Sequence, residues 1–309
     1  MREHDSLVNL SGLLAQPKVL EAEAGKLQRS ISWETMVSRG ARGFRQYGLY
    51  FLVMWAGGLK YPERANLIRS GNFYWRWVDD IADSDRPLPE KYANEKEFLE
   101  GRRDVATKLF FSVRQNVWGD REDILLAHYH YLSSRLGIDL VKESFDILDT
   151  IMWDEERARH KKVLNQGELD ANLGKLDIAC VSGGLKVAEE RCTAQDLESL
   201  SWAVRTMFNL RDFPKDYARG LINISAEDIE GYEIDLAKID GRNFEELVAY
   251  DPMRRWYQVK VREGLRFLNL ARADLAGLHL KWITRTVINL NFLGSAGRNL
   301  NKYAKMLRV

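Results

Sequence analysis

Apolar residues recur every three or four positions through most of this chain, while the strict alternation that a half-buried strand needs is almost absent. That period dictates helices. In FDILDTIMWDEERARHKKV, residues 145–163, the first half is apolar on one face and the second half carries charged pairs at helical spacing. Similar spacing predicts helices around 64–83, near 95–117, in LLAHYHYLSSRL at 125–136, at 168–188 and at 194–213, with two long ones between 252 and 307. Pro62, Pro87, Pro89 and Pro252 stand at segment edges, where a ring without an amide hydrogen does least harm. Pro214 lies inside a helical pattern and should kink or end it. The longest irregular stretch expected is about 220–245. With short connections, no internal repeat and no low-complexity linker, the economical expectation is a single all-α domain.

With 309 residues, 45% of them apolar, the chain can bury a sizeable core. Its 46 basic and 45 acidic residues leave a formal charge of +1, so no global field recruits nucleic acid or an anionic membrane. Any charge-driven function must be local. Cys180 and Cys192 are too few for a disulfide framework and lack metal-ligand spacing. A reduced, cytoplasmic setting is expected, with Cys180 as a small core residue. The N-terminal MREHDSLVNLSG has none of the marks of a signal peptide. The most apolar run, Tyr47 to Gly57, is shorter than the roughly 20 residues a bilayer requires, so no transmembrane segment is expected. LHLKWITRTVINLNFL, residues 278–293, is apolar at helical spacing and suits either peripheral membrane contact or packing inside a bundle.

Local charge is concentrated in WRWVDDIADSD, residues 75–85, where four aspartates fall within seven positions. On a helix, Asp79 and Asp83 are four apart and Asp80 and Asp83 three apart, so their carboxylates crowd one face and repel. An acidic face can simply be solvated. Here Phe73, Tyr74, Trp75 and Trp77 flank it, so part of the helix is expected to be buried, and burying uncompensated carboxylates is costly. A divalent cation resolves the conflict. With oxygen donors alone and no histidine or cysteine nearby, Mg²⁺ is favoured over zinc or copper. In NLRDFPKDYARG, residues 209–220, Asp212 and Asp216 are again four apart, interleaved with Arg211, Lys215 and Arg219. Surface ion pairs explain that pattern; so does a polyanion site in which carboxylates hold metal and basic groups hold phosphate oxygens. No glycine-rich phosphate loop of the Walker type accompanies the two clusters.

These residues resemble the squalene and phytoene synthase family of all-helical isoprenoid synthases. DDIAD with Arg76 three residues ahead is similar to the family's CRxxDDxxD, and RDFPKD to its RDxxxD. Between them, IMWD, ending at Asp154, and ELDANLGKLDIACVSGGLKV look like the family's central acidic helix and its small-residue helix. The order and spacing match over roughly residues 36–300. The resemblance implies an N-terminal extension or helix over 1–35, a helical domain over 36–309 and a cavity inside a helical bundle. It implies Asp79, Asp80, Asp83, Asp212 and Asp216 as metal ligands or their neighbours, and Arg76, Arg211 and Lys215 as diphosphate contacts. Aromatic faces around a carbocation are worth ~0.5–2 kcal/mol each. Phe73, Trp77, Trp153 and Phe208 are candidates for that wall, and each also suits ordinary core.

The chain departs from the family at three places. The HSxSF-like motif corresponds here to GARGF, residues 40–44. The GRxYLP motif corresponds to GLINIS, residues 220–225, with Leu221 for the arginine and Asn223 for the tyrosine. The leading asparagine of NxxRDxxxD falls at Phe208, with Asn209 beside it as a replacement ligand. The groups that ionise one allylic diphosphate are kept, and those that handle a second are altered. The resemblance therefore implies a Mg²⁺-dependent prenyltransferase using a short donor, dimethylallyl or geranyl diphosphate, and an electron-rich aromatic acceptor. The squalene-synthase-like enzymes that prenylate carbazoles are the nearest parallel. Alternatives on the same fold are a head-to-head squalene- or phytoene-type synthase and a terpene cyclase; a non-catalytic scaffold is a third.

Overall fold

A computed structural model describes residues 7–38, 60–111 and 116–309. GARGF and the apolar run Tyr47 to Gly57 lie outside the described residues. The fold is all-α. Among the described residues the strand content is one two-residue antiparallel pair, β1 (Val8–Asn9) with β2 (Trp118–Gly119). The helices divide into two compact units, Met1–Met152 with Lys186–Glu189, and Trp153–Leu185 with Glu190–Val309.

The first unit contains α1 (Leu10–Leu14), α2 (Pro17–Ser38), α3 (Pro62–Ala82), α4 (Glu95–Phe111), α5 (Asp123–Arg135) and the start of α6 (Val141–Arg159). Pro62 opens α3, where its fixed φ suits the first helical turn. The apolar face of α3 carries Phe73, Tyr74, Trp77, Val78 and Ile81, all buried. Tyr74, Trp77 and Phe98 form a chain of ring contacts with centroids 5.9 and 5.3 Å apart. Against these rings lies Arg102 of α4, 1% exposed. Its guanidinium pairs with Asp123 at 2.5 Å and Asp120 at 2.8 Å, the compensation a buried cation requires.

The second unit contains the end of α6, most of α7 (Gln166–Ala188), α8 (Glu198–Ala218), α9 (Ala226–Tyr232), α10 (Phe244–Ala249) and α11 (Asp251–Gly277). It closes with α12 (Trp282–Val287), a π-helical turn over Ile288–Leu293 and α13 (Gly294–Leu307). Phe213 of α8 packs on Trp256 and Tyr257 of α11, with centroids 5.4 and 6.1 Å apart. At Gly264 of α11 a β-carbon would stand 2.9 Å from a Leu300 methyl and 3.0 Å from the Thr206 methyl, so a larger residue would force these side chains of α13 and α8 to shift.

Four expectations are corrected or narrowed. Of the kink or helix end expected at Pro214, the end does not occur: α8 continues to Ala218. An internal proline costs ~3 kcal/mol, but Leu210 and Phe213, 1% and 0% exposed, anchor the preceding turn in the core. The 220–245 stretch is not one continuous irregular segment: α9, a 3₁₀ turn over Leu236–Lys238 and the start of α10 interrupt it. Its helices are started by Ser225, which caps Asp228, and by a capping box between Asn243 and Glu246. Cys180 is exposed rather than a core residue. Finally, 278–293 is not uniformly packed: Ile288 and Leu293 are buried, whereas Trp282 is 79% exposed. Among the described residues no helix is long and apolar enough to cross a membrane.

His128 of α5 makes the first unit sensitive to acid. It is buried, with Nδ1 2.8 Å from Ser70 Oγ. Burial, then the charge of Arg69, pushes its pKa down to about 4 from 6.5. Within that window the unfolded chain holds a proton that the folded chain refuses, so stability falls as pH drops from about 6.5 to 4, by roughly 3 kcal/mol at most. Urea denaturation of wild type and His128→Asn at pH 7 and about pH 4.5 should show a smaller loss in the variant; equal losses would remove His128 as the cause.

Candidate functional site

The first aspartate motif occupies the last turn of α3. Asp79 is exposed, and Asp80 and Asp83 are half-buried. Helical spacing sets Asp79 and Asp83 one turn apart on one face. The cluster has cations beside it. The amides of Asp85 and Arg86 both donate to the Asp80 carbonyl, at 2.7 and 2.9 Å, and wrap the chain back over the helix end. That turn sets Arg86 Nε 3.3 Å from Asp80 Oδ2, while Arg76 approaches the same oxygen at 3.8 Å. Arg86 lies just beyond the acidic stretch, and only the turn reveals it. Asp85 is exposed. Phe73 and Trp77 are packed into the core of the first unit, 1% and 6% exposed.

The second motif occupies the last two turns of α8. Arg211 grips Asp212 through two bonds of 2.8 and 2.6 Å, and its guanidinium lies 4.6 Å from the ring centre of Phe208. Phe208 is 41% exposed and Lys215 is exposed. After α8 the chain reverses at Gly220, whose φ of +96° favours glycine. A β-carbon there would meet the Ala158 carbonyl oxygen at 2.3 Å. The reversal buries Leu221 through Ser225. Asn223, 6% exposed, donates to Asp216 Oδ2 at 3.2 Å.

Arg157 of α6, 2% exposed, holds this segment from the other side. It donates to the Ile222 carbonyl at 3.1 Å, to Asn223 Oδ1 at 2.6 Å and to Asp154 Oδ1 at 3.1 Å. Burial lowers its pKa from the usual arginine value, and the Asp154 carboxylate opposes that shift. Trp153 lies against this guanidinium, 5.0 Å from it. The result is a relay of contacts from Asp154 through Arg157 and Asn223 to Asp216. Arg157 was visible in the sequence only as the partner of Asp154 three residues earlier; its longer contacts depend on the Gly220 turn.

Asn223 and Asn209 also line a cavity of about 480 Å³ in the second unit, between α7, α8 and α11. Leu169 and Leu173 of α7 form one wall, and Trp202 of α8 stacks on Phe267 of α11 with centroids 5.8 Å apart. Across it, Asp228 accepts from Trp256 Nε1 at 2.9 Å and pairs with Lys260 at 3.0 Å. Burial disfavours the Lys260 charge, but Asp228 and Glu263 outweigh it and hold the pKa above the usual lysine value. Trp256, Lys260, Glu263 and Phe267 recur at helical spacing on α11, a signal present in the sequence but indistinguishable there from a core face.

The donor set suits Mg²⁺, which binds through one or two carboxylates plus substrate phosphates. Asp79 with Asp83, and Asp212 with Asp216, each supply two oxygen-only donors one helical turn apart. Asn209 lies three residues before Asp212. Among the described residues no three histidine, cysteine, aspartate or glutamate side chains form a group that could hold a metal ion.

The Gly220 turn carries Asn223 to Asp216, so Gly220→Ala should cost at least about 1–3 kcal/mol through its left-handed backbone and the clash with Ala158. Chemical denaturation measures this; an unchanged midpoint would show that the turn relaxes without strain. Set beside known protein families and curated proteins, the chain matches no family model and no curated relative.

Proposed function

We propose that this protein is a Mg²⁺-dependent prenyltransferase that ionises dimethylallyl or geranyl diphosphate and transfers the prenyl group to an electron-rich aromatic ring. One observation carries the reading: Asn223 joins the second aspartate motif to an aromatic-lined cavity of about 480 Å³, large enough for a flat ring. The all-helical fold and the ordered aspartate motifs of the squalene and phytoene synthase type support it further.

In this reading Asp79, Asp80 and Asp83 of α3 are metal ligands, as are Asp212, Asp216 and Asn209 of α8. Bound there, Mg²⁺ supplies positive charge that stabilises the departing diphosphate. Arg76, Arg211 and Lys215 contact the diphosphate oxygens. Arg76 and Arg211 already lie against motif carboxylates, so their cationic heads need little reorganisation when negative charge develops. The allylic carbon–oxygen bond breaks and its electron pair leaves with the diphosphate. A ring carbon of the acceptor then bonds to the allylic cation, and the proton displaced from that carbon goes to a diphosphate oxygen. Leu221 and Asn223, where the family has arginine and tyrosine, leave no second diphosphate site. The buried Leu221 instead keeps that side of the segment dry.

Incubation with Mg²⁺, labelled dimethylallyl or geranyl diphosphate and a panel of hydroxylated aromatics should move label onto the ring. Asp79→Asn and Asp216→Asn should each lower turnover by about 100-fold or more. Label found only in a hydrocarbon built from two prenyl groups, or in a cyclised terpene made without an acceptor, would overturn the proposal.

A further inference from the structure

Arg205 of α8 lines the cavity and is 7% exposed. Its Nε donates to Asp177 Oδ2 at 3.0 Å, and its Nη2 bonds to the same carboxylate and to the Leu173 carbonyl. Among the described residues its Nη1 has no hydrogen-bond partner. A buried guanidinium donor with nothing to bond is rare, because desolvating it without compensation is unfavourable. The same guanidinium lies 4.9 Å from the Trp202 ring, which stacks on Phe267 at an interplanar angle of 19°. The guanidinium therefore lies over a Trp202 ring that is itself stacked on Phe267, beside the cavity that all three residues line.

The charges of the lining narrow the ligand. Asp170, Asp228 and Glu263 balance Arg205, Lys260 and Arg266. Lys260 is already held by Asp228 and Glu263, at 3.0 and 3.5 Å, and Arg205 by Asp177. Arg266 lies over the Phe267 ring, and the lining taken as a whole carries no formal excess of positive charge to favour a phosphate or a carboxylate. What the cavity lacks is a neutral oxygen opposite Nη1, and what its walls offer is area for a planar ring. A hydroxyl meets both demands: its oxygen accepts from Arg205 and its hydrogen can go to a wall carboxylate such as Asp170.

We propose that this cavity binds a neutral, hydroxylated planar aromatic molecule, with its hydroxyl oxygen accepting from Arg205 Nη1. Binding itself follows from the cavity; identifying the ligand as the prenyl acceptor rests on the prenyl-transfer reading. Asn209 and Asn223 line the same space, so a ring held by Arg205 lies beside the second aspartate motif.

Equilibrium dialysis of the whole protein against 2-hydroxycarbazole and carbazole, without Mg²⁺ or diphosphate, tests the binding. Wild type should take the hydroxylated ring about ten-fold more tightly. Arg205→Lys, which keeps a cation opposite Asp177 but removes the forked donors, should abolish that preference. Leu173→Trp, which fills the cavity from α7, should weaken both probes about ten-fold. Circular dichroism establishes that the variants fold, and the wild-type comparison of the two probes needs no variant. Absence of saturable binding, equal wild-type affinities, or wild-type behaviour of both folded variants would overturn the site. Prenyl transfer with an acceptor KM unchanged in Leu173→Trp would remove the site and leave the transfer reading intact. Arg205-dependent binding without any transfer would uphold the site and remove the reading.

Discussion

The packing of α8 on α11 is the constraint on which the second unit depends. Phe213 against Trp256 and Tyr257, with Gly264 leaving room for methyls of Thr206 and Leu300, fixes the rotation of α8 about its own axis. Once that face is buried, the remaining positions are determined by helix geometry. Arg205, Asn209, Asp212 and Asp216 follow one another at three- and four-residue steps and run as one stripe along the helix. A rotation of α8 would bury carboxylates and expose rings, and both changes are unfavourable. The same packing explains how Pro214 is tolerated: the hydrogen bond lost at the proline is a small term beside the burial of Leu210 and Phe213.

Three of the four buried arginines among the described residues organise the polar interior, and each works differently. Arg102 in the first unit is held by Asp120 and Asp123 and closes an aromatic cluster, a structural role. Arg157 ties the chain after Gly220 to α6 and thereby sets Asn223 against Asp216. Arg205 is anchored by Asp177 yet keeps one donor over for the cavity. Buried cations of this kind persist because removing either partner leaves a charge uncompensated. In the second unit they also hold a short segment and a donor group in fixed positions, which a binding site requires.

Much of the fold was legible in the sequence. Helical periodicity located most of the long helices, though not α2 (Pro17–Ser38), and the spacing of Asp79 with Asp83 and of Asp212 with Asp216 placed each pair on one helix face. The misses share a cause. Pro214 and Cys180 were judged by local propensity, and packing decided otherwise. The 220–245 stretch holds helices too short for periodicity to detect, although Ser225 and Asn243 announce them as caps. Arg86, Arg157 and Arg205 are ordinary residues in one dimension, and turns and side-chain reach bring them to Asp80, Asn223 and the cavity.

The sequence by itself determined the all-helical class and the two acidic helix faces, because both follow from spacing along a single helix. Only the tertiary structure decided that Asn223 reaches Asp216 and that Arg205 retains an unpaired donor beside stacked aromatic rings. The physical reason is that a cavity and a hydrogen-bond relay are relations between elements distant in the chain, created by the Gly220 reversal and by the contact of α8 with α11.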